Sequence, residues 1–275
     1  MKIHTGRISK DESPSKKQGS NIVVNNAAGD VSPLMFTHNG ELLNVCLTHS
    51  DRILSKKSNA KTYSPIISSN LKLSVRRDSG ITETSFKFEQ WDDLSGEGNH
   101  LTSVVPTPQV PHGYAVFDGA GQYFSTTTAL SMSEFTICVA LRNDRAKLGS
   151  IVGMTTDADS FIATSYGSGR DITLSLDSGE VYSSSGGDIP TGRDCLITVA
   201  KSTSNDVYMR VNGVQVHTEL ATSTALQINQ VARQSTNTDT FKGNMYELAI
   251  YDRHIGGEEL NRIELGMMSR NKITA

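Results

Sequence analysis

Between Asp206 and Leu220 the chain reads DVYMRVNGVQVHTEL, and this stretch leaves little choice of fold. Val207, Met209 and Val211 are apolar at every second position, and Val214 and Val216 resume that rhythm after Asn212-Gly213. A period of two lays apolar side chains on one face of a strand, whereas a helix needs a period near 3.6. Asn-Gly supplies the positive φ values of a two-residue hairpin turn. The same ingredients recur along the chain. EFTICVALR alternates Phe135, Ile137, Val139 and Leu141 on one face. FKFEQW sets Phe86, Phe88 and Gln90 against Lys87, Glu89 and Trp91. YAVFDGAGQYFST reads as a strand, an Asp118-Gly119 turn and a second strand, and LKLSV, SIVGM, FIATSY, DITLSL and CLITVAK are further strand candidates. Many short strands punctuated by Gly, Asn and Asp predict a sandwich or barrel. No unit of about 20–50 residues repeats, which excludes a propeller or solenoid.

The end of the chain differs. In FKGNMYELAIYDR the apolar Met245, Leu248, Ile250 and Tyr251 do not alternate cleanly. GGEELNRIELGMMSRN then carries Glu258 and Glu259 where a first helical turn favours acids. Leu260, Ile263 and Met267 follow on one helical face. A short helix packed against the rim of the sandwich is predicted there.

Apolar residues make up 36% of the 275, so the core is thin and most strands are expected to bury one face. A net charge of −3 argues against nucleic acid, which needs clustered excess Lys and Arg. Cys46, Cys138 and Cys195 are odd in number and lack metal spacing, so neither a disulfide framework nor a zinc site is expected. Cys138 and Cys195 sit in apolar strand patterns, where a free thiol acts as a small hydrophobe. MKIHTGRISKDESPSKKQGS has no apolar core of a secretory signal. No run approaches the roughly 20 apolar residues of a membrane span.

Composition changes near residue 66. Residues 1–21 are polar and charged and read as a disordered tail. NIVV is a brief β-type run, and PLMFTHNGELLNVCL reads as a hairpin around Asn39-Gly40. THSDRILSKKSNAKTYS reads as a basic linker or exposed loop. The predicted division is an N-terminal arm over 1–65 and a β-sandwich over 66–275.

Residues 66–275 resemble the laminin-G-like jelly roll of the concanavalin A-like lectin/glucanase superfamily. Four stretches carry the likeness: FEQWDDLSGEGNHL, AVFDGAGQYFST, SMSEFTICVALR and FKGNMYELAIYDRHIGGEEL. The resemblance implies an all-β fold, two antiparallel sheets in a jelly-roll sandwich, with a short C-terminal helix. It implies a carbohydrate- or protein-binding module, of a kind also found in bacteriophage structural proteins.

The candidate site residues cluster in WDDLSGEGNH, around the chain's single tryptophan. Glycosidases of the resembled superfamily carry E-x-D-x-x-E on one strand. Here Glu89, Asp92 and Asp93 have the wrong spacing, because neighbouring strand residues face opposite ways. No catalytic residue is assigned. The resemblance also implies a structural calcium in some members, which Asp93, Asn99 and Glu247 match, while Tyr246 stands where an acid is common. The competing reading is an Asx turn in which Asp93 accepts from its own loop amides. No cofactor is expected beyond that calcium, and no metal ligand is assigned. Trp91 reads as core rather than as a sugar platform. His4, His38, His49, His100, His112, His217 and His254 have no metal spacing.

The expected function is non-enzymatic. The leading expectation is a bacteriophage virion component assembled in the host cytoplasm, as decoration, fibre or tail accessory, docked to other virion proteins through residues 1–65. The alternative is a module recognising a cell-surface glycan. Neither nucleic acid nor membrane insertion is expected, and a homo-oligomer is compatible with either reading.

Overall fold

The computed structural model describes residues 69–275 except 86, 105–107, 109–112, 145–148, 157–158, 165–169, 177–178, 185–187, 222–223, 236–239 and 275, and the strand backbone of five segments before them. The chain divides into two compact units, Met1–Thr62 and Tyr63–Ala275.

In the first unit, β1 (Gly6–Arg7) pairs with β2 (Asn21–Ile22). β3 (Leu34–His38) and β4 (Glu41–Leu47) pair antiparallel with His38 opposite Glu41, and the expected Asn39-Gly40 turn lies outside the described residues. The expected basic linker contains a strand, β5 (Ile53–Leu54), paired with Cys46 and Leu47 of β4. The remainder of the expected tail lies outside the described residues.

The second unit begins with β6 (Leu71–Arg76), β7 (Ile81–Thr84), β8 (Lys87–Trp91), β9 (Leu101–Val104) and β10 (Ala115–Asp118). It continues with β11 (Tyr123–Met132), β12 (Phe135–Asn143), β13 (Gly149–Gly153), β14 (Phe161–Thr164), β15 (Ile172–Leu176) and β16 (Glu180–Ser183). The last elements are β17 (Asp194–Lys201), β18 (Asp206–Val211), β19 (Val214–Leu220), β20 (Leu226–Val231), β21 (Lys242–Tyr251) and the helix α1 (Gly257–Asn271).

Seven strands form one sheet in the order β10-β21-β12-β17-β18-β19, with β6 also pairing β21. Nine form the other in the order β16-β15-β14-β13-β20-β11-β9-β8-β7. All pairings between these strands are antiparallel, and the chain passes repeatedly from one sheet to the other, as a jelly-roll sandwich requires. The Asp118-Gly119 turn is one such passage: β10 belongs to the seven-stranded sheet and β11 to the nine-stranded one. The hairpin read first from the sequence is β18–β19, with Asn212 at φ 49° and Gly213 at φ 80°.

The core between the sheets holds Phe88, Trp91, Phe117, Phe124, Phe135 and Phe241 among many aliphatic residues. Phe88, Phe117 and Phe124 meet edge to face, with Phe124 centroids 5.0 Å from Phe88 and 5.8 Å from Phe117. Strands β12, β17 and β21 of the seven-stranded sheet and β13, β14 and β15 of the nine-stranded sheet depart from the one-face expectation, being buried on both faces. For the seven-stranded sheet the cause is α1, which lies on its outer face rather than at the rim. Its Leu260, Ile263, Met267 and Met268 pack on Leu71, Cys138, Ala140, Leu196, Ala249 and Tyr251. Both buried thiols are pushed up to about 12, chiefly by desolvation, so they behave as apolar groups.

The helix is also fastened by charge. Arg270 donates to Glu247 at 2.6 and 3.2 Å, and Asn271 adds a third bond at 2.8 Å. Arg210 donates to Glu264 at 2.9 and 3.0 Å, and Thr198 donates to the same carboxylate at 2.9 Å. Glu247 and Glu264 are each 2% exposed, and both have the several partners that a buried carboxylate needs.

Candidate functional site

Two bulges decide where the sequence-predicted residues point. Strict alternation puts Trp91 on the face of Lys87 and Glu89. In the structure Thr82 pairs with Gln90 while Glu83 pairs with Phe88, so Glu89 is an extra residue on β8. One extra residue reverses the phase of a strand. Phe88 and Trp91 therefore point into the same core, both at 0% exposure with ring centroids 5.2 Å apart. The indole N–H donates to the Arg76 carbonyl at 3.0 Å. Trp91 is a core residue, with no face free for a sugar.

The same device explains the irregular closing strand. Ala140 pairs with Glu247 but Leu141 with Met245, leaving Tyr246 as the extra residue on β21. Met245, Leu248 and Ile250 thus reach the core between the sheets. Tyr246, Ala249 and Tyr251 face the helix side. Glu247 is turned to Arg270 and Asn271 of α1. Tyr246 donates its phenol hydrogen to Asp194 at 2.7 Å, and burial holds the phenol above its usual range.

In the loop after β8, Asp93 is 9% exposed and turned inward. Its Oδ1 accepts from the Ser74 and Ser95 amides, both at 2.9 Å. Its Oδ2 accepts from the Ser95 hydroxyl at 2.6 Å and the Asn99 amide at 3.0 Å. Asn99 donates its side-chain amide to the Lys72 carbonyl at 2.7 Å. Gly96 and Gly98 take positive φ values of 92° and 77° and complete the turn. The donor set does not fit calcium, which takes about 6–8 oxygen ligands. N–H and O–H groups already point at both Asp93 oxygens, the Asn99 amide is spent on Lys72, and Glu247 is bound to α1. Among the described residues no three His, Cys, Asp or Glu side chains are grouped to hold a metal.

The three acids weighed for glycosidase chemistry diverge. Glu89 is exposed at the bulge. Asp92 accepts from Gln90 at 2.7 Å and lies 3.5 Å from His100 Nδ1. Asp93 is occupied as above. Cys46, the histidines before residue 69 and His112 lie outside the described side chains.

Sequence reasoning missed a different feature, the outer face of the nine-stranded sheet. Registered partners share a face, so pairing identifies a row that crosses every strand. From one edge it runs Thr82, Gln90, Thr102, Ser125 and Gln230. It continues through Gly153, Phe161, Ser175 and Val181. The row is mostly polar and contains no carboxylate. Two of its members are buried with unpaired polar atoms, Gln230 at 3% exposure through Oε1 and Ser175 at 1% through Oγ.

The segment after β20 folds back onto this face. Ala232 has φ 71°, and the Ser235 amide donates to the Met154 carbonyl at 2.8 Å. A Cβ on Gly153 would lie 2.7 Å from Gln234 Cα, so glycine permits the approach. Ser150 secures the segment by donating to Gln234 at 2.7 Å. The fold-back lays the Arg233 guanidinium over the Tyr123 ring, 4.7 Å from its centroid. Tyr123 lies on the row's face, two residues before Ser125 on β11. The signals available in the sequence were the polar alternates of strands read for their apolar ones.

The family model Laminin_G_3, described as concanavalin A-like lectin/glucanases superfamily, matches residues 118–261. No curated protein matches the sequence. Among solved structures, the chain is similar to a GH54 α-L-arabinofuranosidase soaked with 4-nitrophenyl α-L-arabinofuranoside. The TM-score is 0.53 and the identity 13%, over 74% of this chain and 60% of that one. It is similar to the binding domain of botulinum neurotoxin serotype D/C VPI 5993, with a TM-score of 0.50 and 11% identity, over 72% of this chain and 52% of that one. It is also similar to domain 4 of AbnA, a GH43 extracellular arabinanase from Geobacillus stearothermophilus, in complex with arabinotriose. There the TM-score is 0.49 and the identity 13%, over 73% of this chain and 98% of that one. At such identities the likeness is one of fold. The matched family spans residues 118–261 of 275, more than half of the chain, and the chain belongs to the concanavalin A-like lectin/glucanases superfamily.

Proposed function

We propose that the sandwich is a glycan-binding module that does not cleave its ligand, and that it binds through the outer face of the nine-stranded sheet. The observation that carries this reading is the polar row, whose Thr82 and Thr102 are exposed and whose Gln90 and Ser125 are half-buried. Side-chain hydroxyls and amides of this kind can exchange hydrogen bonds with a ligand rich in hydroxyls. Superfamily membership supports the ligand class. Further support comes from the fold's likeness to an arabinofuranosidase soaked with an arabinoside and to a toxin's binding domain. The absence of any carboxylate from the row supports binding over hydrolysis, which needs a pair of acids. Panels of immobilised glycans should retain the protein, and purified protein should release no reducing ends from the glycans it binds. Turnover lost on Glu89→Ala, Asp92→Ala or Asp93→Ala would overturn the non-enzymatic part.

The setting we propose is a bacteriophage virion, with residues 1–65 attaching the sandwich to other virion proteins. The observation favouring it is the separate compact unit, Met1–Thr62, that precedes the sandwich. Residues 66–275 alone should stay folded and fail to join particles, and normal incorporation of that truncated protein would remove the idea.

A further inference from the structure

We infer that His100 is an acid-sensitive latch on the loop after β8, closed by the neutral imidazole and opened by the imidazolium. The latch does not depend on glycan binding. The Asp93 amide donates to His100 Nδ1 at 3.2 Å, which ties the start of the loop to a residue seven positions on. An amide N–H only donates, so Nδ1 has to accept, and the neutral ring carries its hydrogen on Nε2. The same Nδ1 lies 3.5 Å from Asp92 Oδ1. Protonation puts a hydrogen on Nδ1 as well. Two N–H groups then face each other, and the bond to Asp93 cannot survive. The Asp92 carboxylate is the acceptor within reach. One nitrogen therefore has two partners that exclude each other, and the charge of the ring selects between them.

The surroundings leave this exchange to His100 and Asp92. Both side chains reach water, at 47% and 41% exposure, so a proton has access. The Asp93 carboxylate is turned inward and takes the Ser74, Ser95 and Asn99 amides. Of the other charged groups on the loop and on the elements beside it, Lys72 of β6 faces Glu97 at 3.9 Å, and Arg77 faces Asp78 at 3.3 Å. Asp92 Oδ1 already accepts from the Gln90 side chain at 2.7 Å. Gln90 belongs to the polar row of the outer face, so the imidazolium competes with a row residue for one oxygen. Acid thus frees the Asp93 amide on one side of the ring and loosens Gln90 on the other.

The test is nuclear magnetic resonance of the full chain between about pH 8 and pH 5, the range across which an ordinary histidine changes charge. At the alkaline end, the long-range proton–nitrogen spectrum of His100 should place the ring hydrogen on Nε2 alone. As the ring gains its second proton, exchange of the Asp93 amide hydrogen, corrected for the intrinsic effect of pH, should speed up about tenfold or more. The amides of β12 should keep their protection throughout, which separates opening of the loop from unfolding. His100→Asn offers an acceptor oxygen that does not titrate, and should hold the Asp93 amide at one protection across the range. A hydrogen on Nδ1 at the alkaline end, a ring that stays neutral at the acid end, or equal Asp93 protection before and after the ring titrates overturns the latch. So does a His100→Asn protein that keeps the pH dependence of the wild type.

Discussion

The two sheets of the sandwich share one core but differ in what lies outside it. The seven-stranded sheet presents Leu71, Cys138, Ala140, Leu196, Ala249 and Tyr251 outward, and α1 covers them. The nine-stranded sheet presents Thr82, Gln90, Thr102, Ser125, Gln230 and Ser175 outward, and among the described residues no helix packs there. Every carboxylate buried on the first outer face has a cation and further donors. Unpaired buried polar atoms occur on both faces, Asn271 Oδ1 on the first and Gln230 Oε1 and Ser175 Oγ on the second. The first face is covered by α1; the second is exposed at Thr82 and Thr102 and buried at Gln230, Phe161 and Ser175.

The largest expected effect tests the shared core. Trp91→Ala removes a fully buried aromatic from the inner side of the nine-stranded sheet and should cost about 3–5 kcal/mol in urea unfolding. A cost below about 1 kcal/mol would show that the ring does not belong to the core.

Breaking the covered outer face comes next. Glu247→Ala leaves Arg270 buried without its carboxylate and should cost about 3–5 kcal/mol. Glu247→Leu combined with Arg270→Met should cost less than either single change, because no buried charge remains. Equal and additive losses would reduce the pair to packing.

Asp93 ties the loop after β8 to Ser74 of β6, and so one sheet to the other. Asp93→Ala should cost about 1–2 kcal/mol. Excess EDTA should leave the melting temperature of the wild type in place. Saturating calcium at 100-fold over its Kd would add about 2.7 kcal/mol, so a large fall on chelation would reinstate a metal.

The outer face of the nine-stranded sheet should respond in the opposite sense. Gln230→Leu deletes a buried amide oxygen without a partner and should leave stability unchanged or raise it by about 1 kcal/mol. A marked loss of stability would mean that the amide is paired in solution.

The smallest effect concerns His254, stacked on Tyr208 at 5.3 Å on the outer side of the seven-stranded sheet. Burial lowers its pKa, against the opposing pull of Glu134 and Asp206. A lowered value favours the neutral ring in the folded state, so its contribution is fully present above the unfolded pKa of about 6.5 and is lost as pH falls through the folded value. Melting temperature should therefore drop slightly between pH 7 and 5, and His254→Phe should flatten that component.

Much of the fold was legible without coordinates. Alternation in Phe135, Ile137, Val139 and Leu141 and the Asn212-Gly213 turn are local signals, and the strands stand where those signals lie. Leu260, Ile263 and Met267 likewise marked the buried face of α1, though not the surface it covers. The Asx turn at Asp93 was legible for the same reason, since Ser95 and Asn99 sit within six residues of it. Trp91 and Glu247 were harder. Their facing depends on Glu89 and Tyr246 being extra residues opposite a partner strand, and a bulge is a property of two strands rather than one.

The sequence by itself determined the strand inventory, the turns, the helix and the division of each strand into apolar and polar faces, because periodicity and turn chemistry act within a few residues. The tertiary structure alone decided which polar faces align. Gln230 meets Ser125 and Gly153 across 105 and 77 residues of chain, and Arg233 reaches Tyr123 through a fold-back that Gly153 permits. Registers between distant strands are set by the packing of the whole core, so no local pattern announces the row they create.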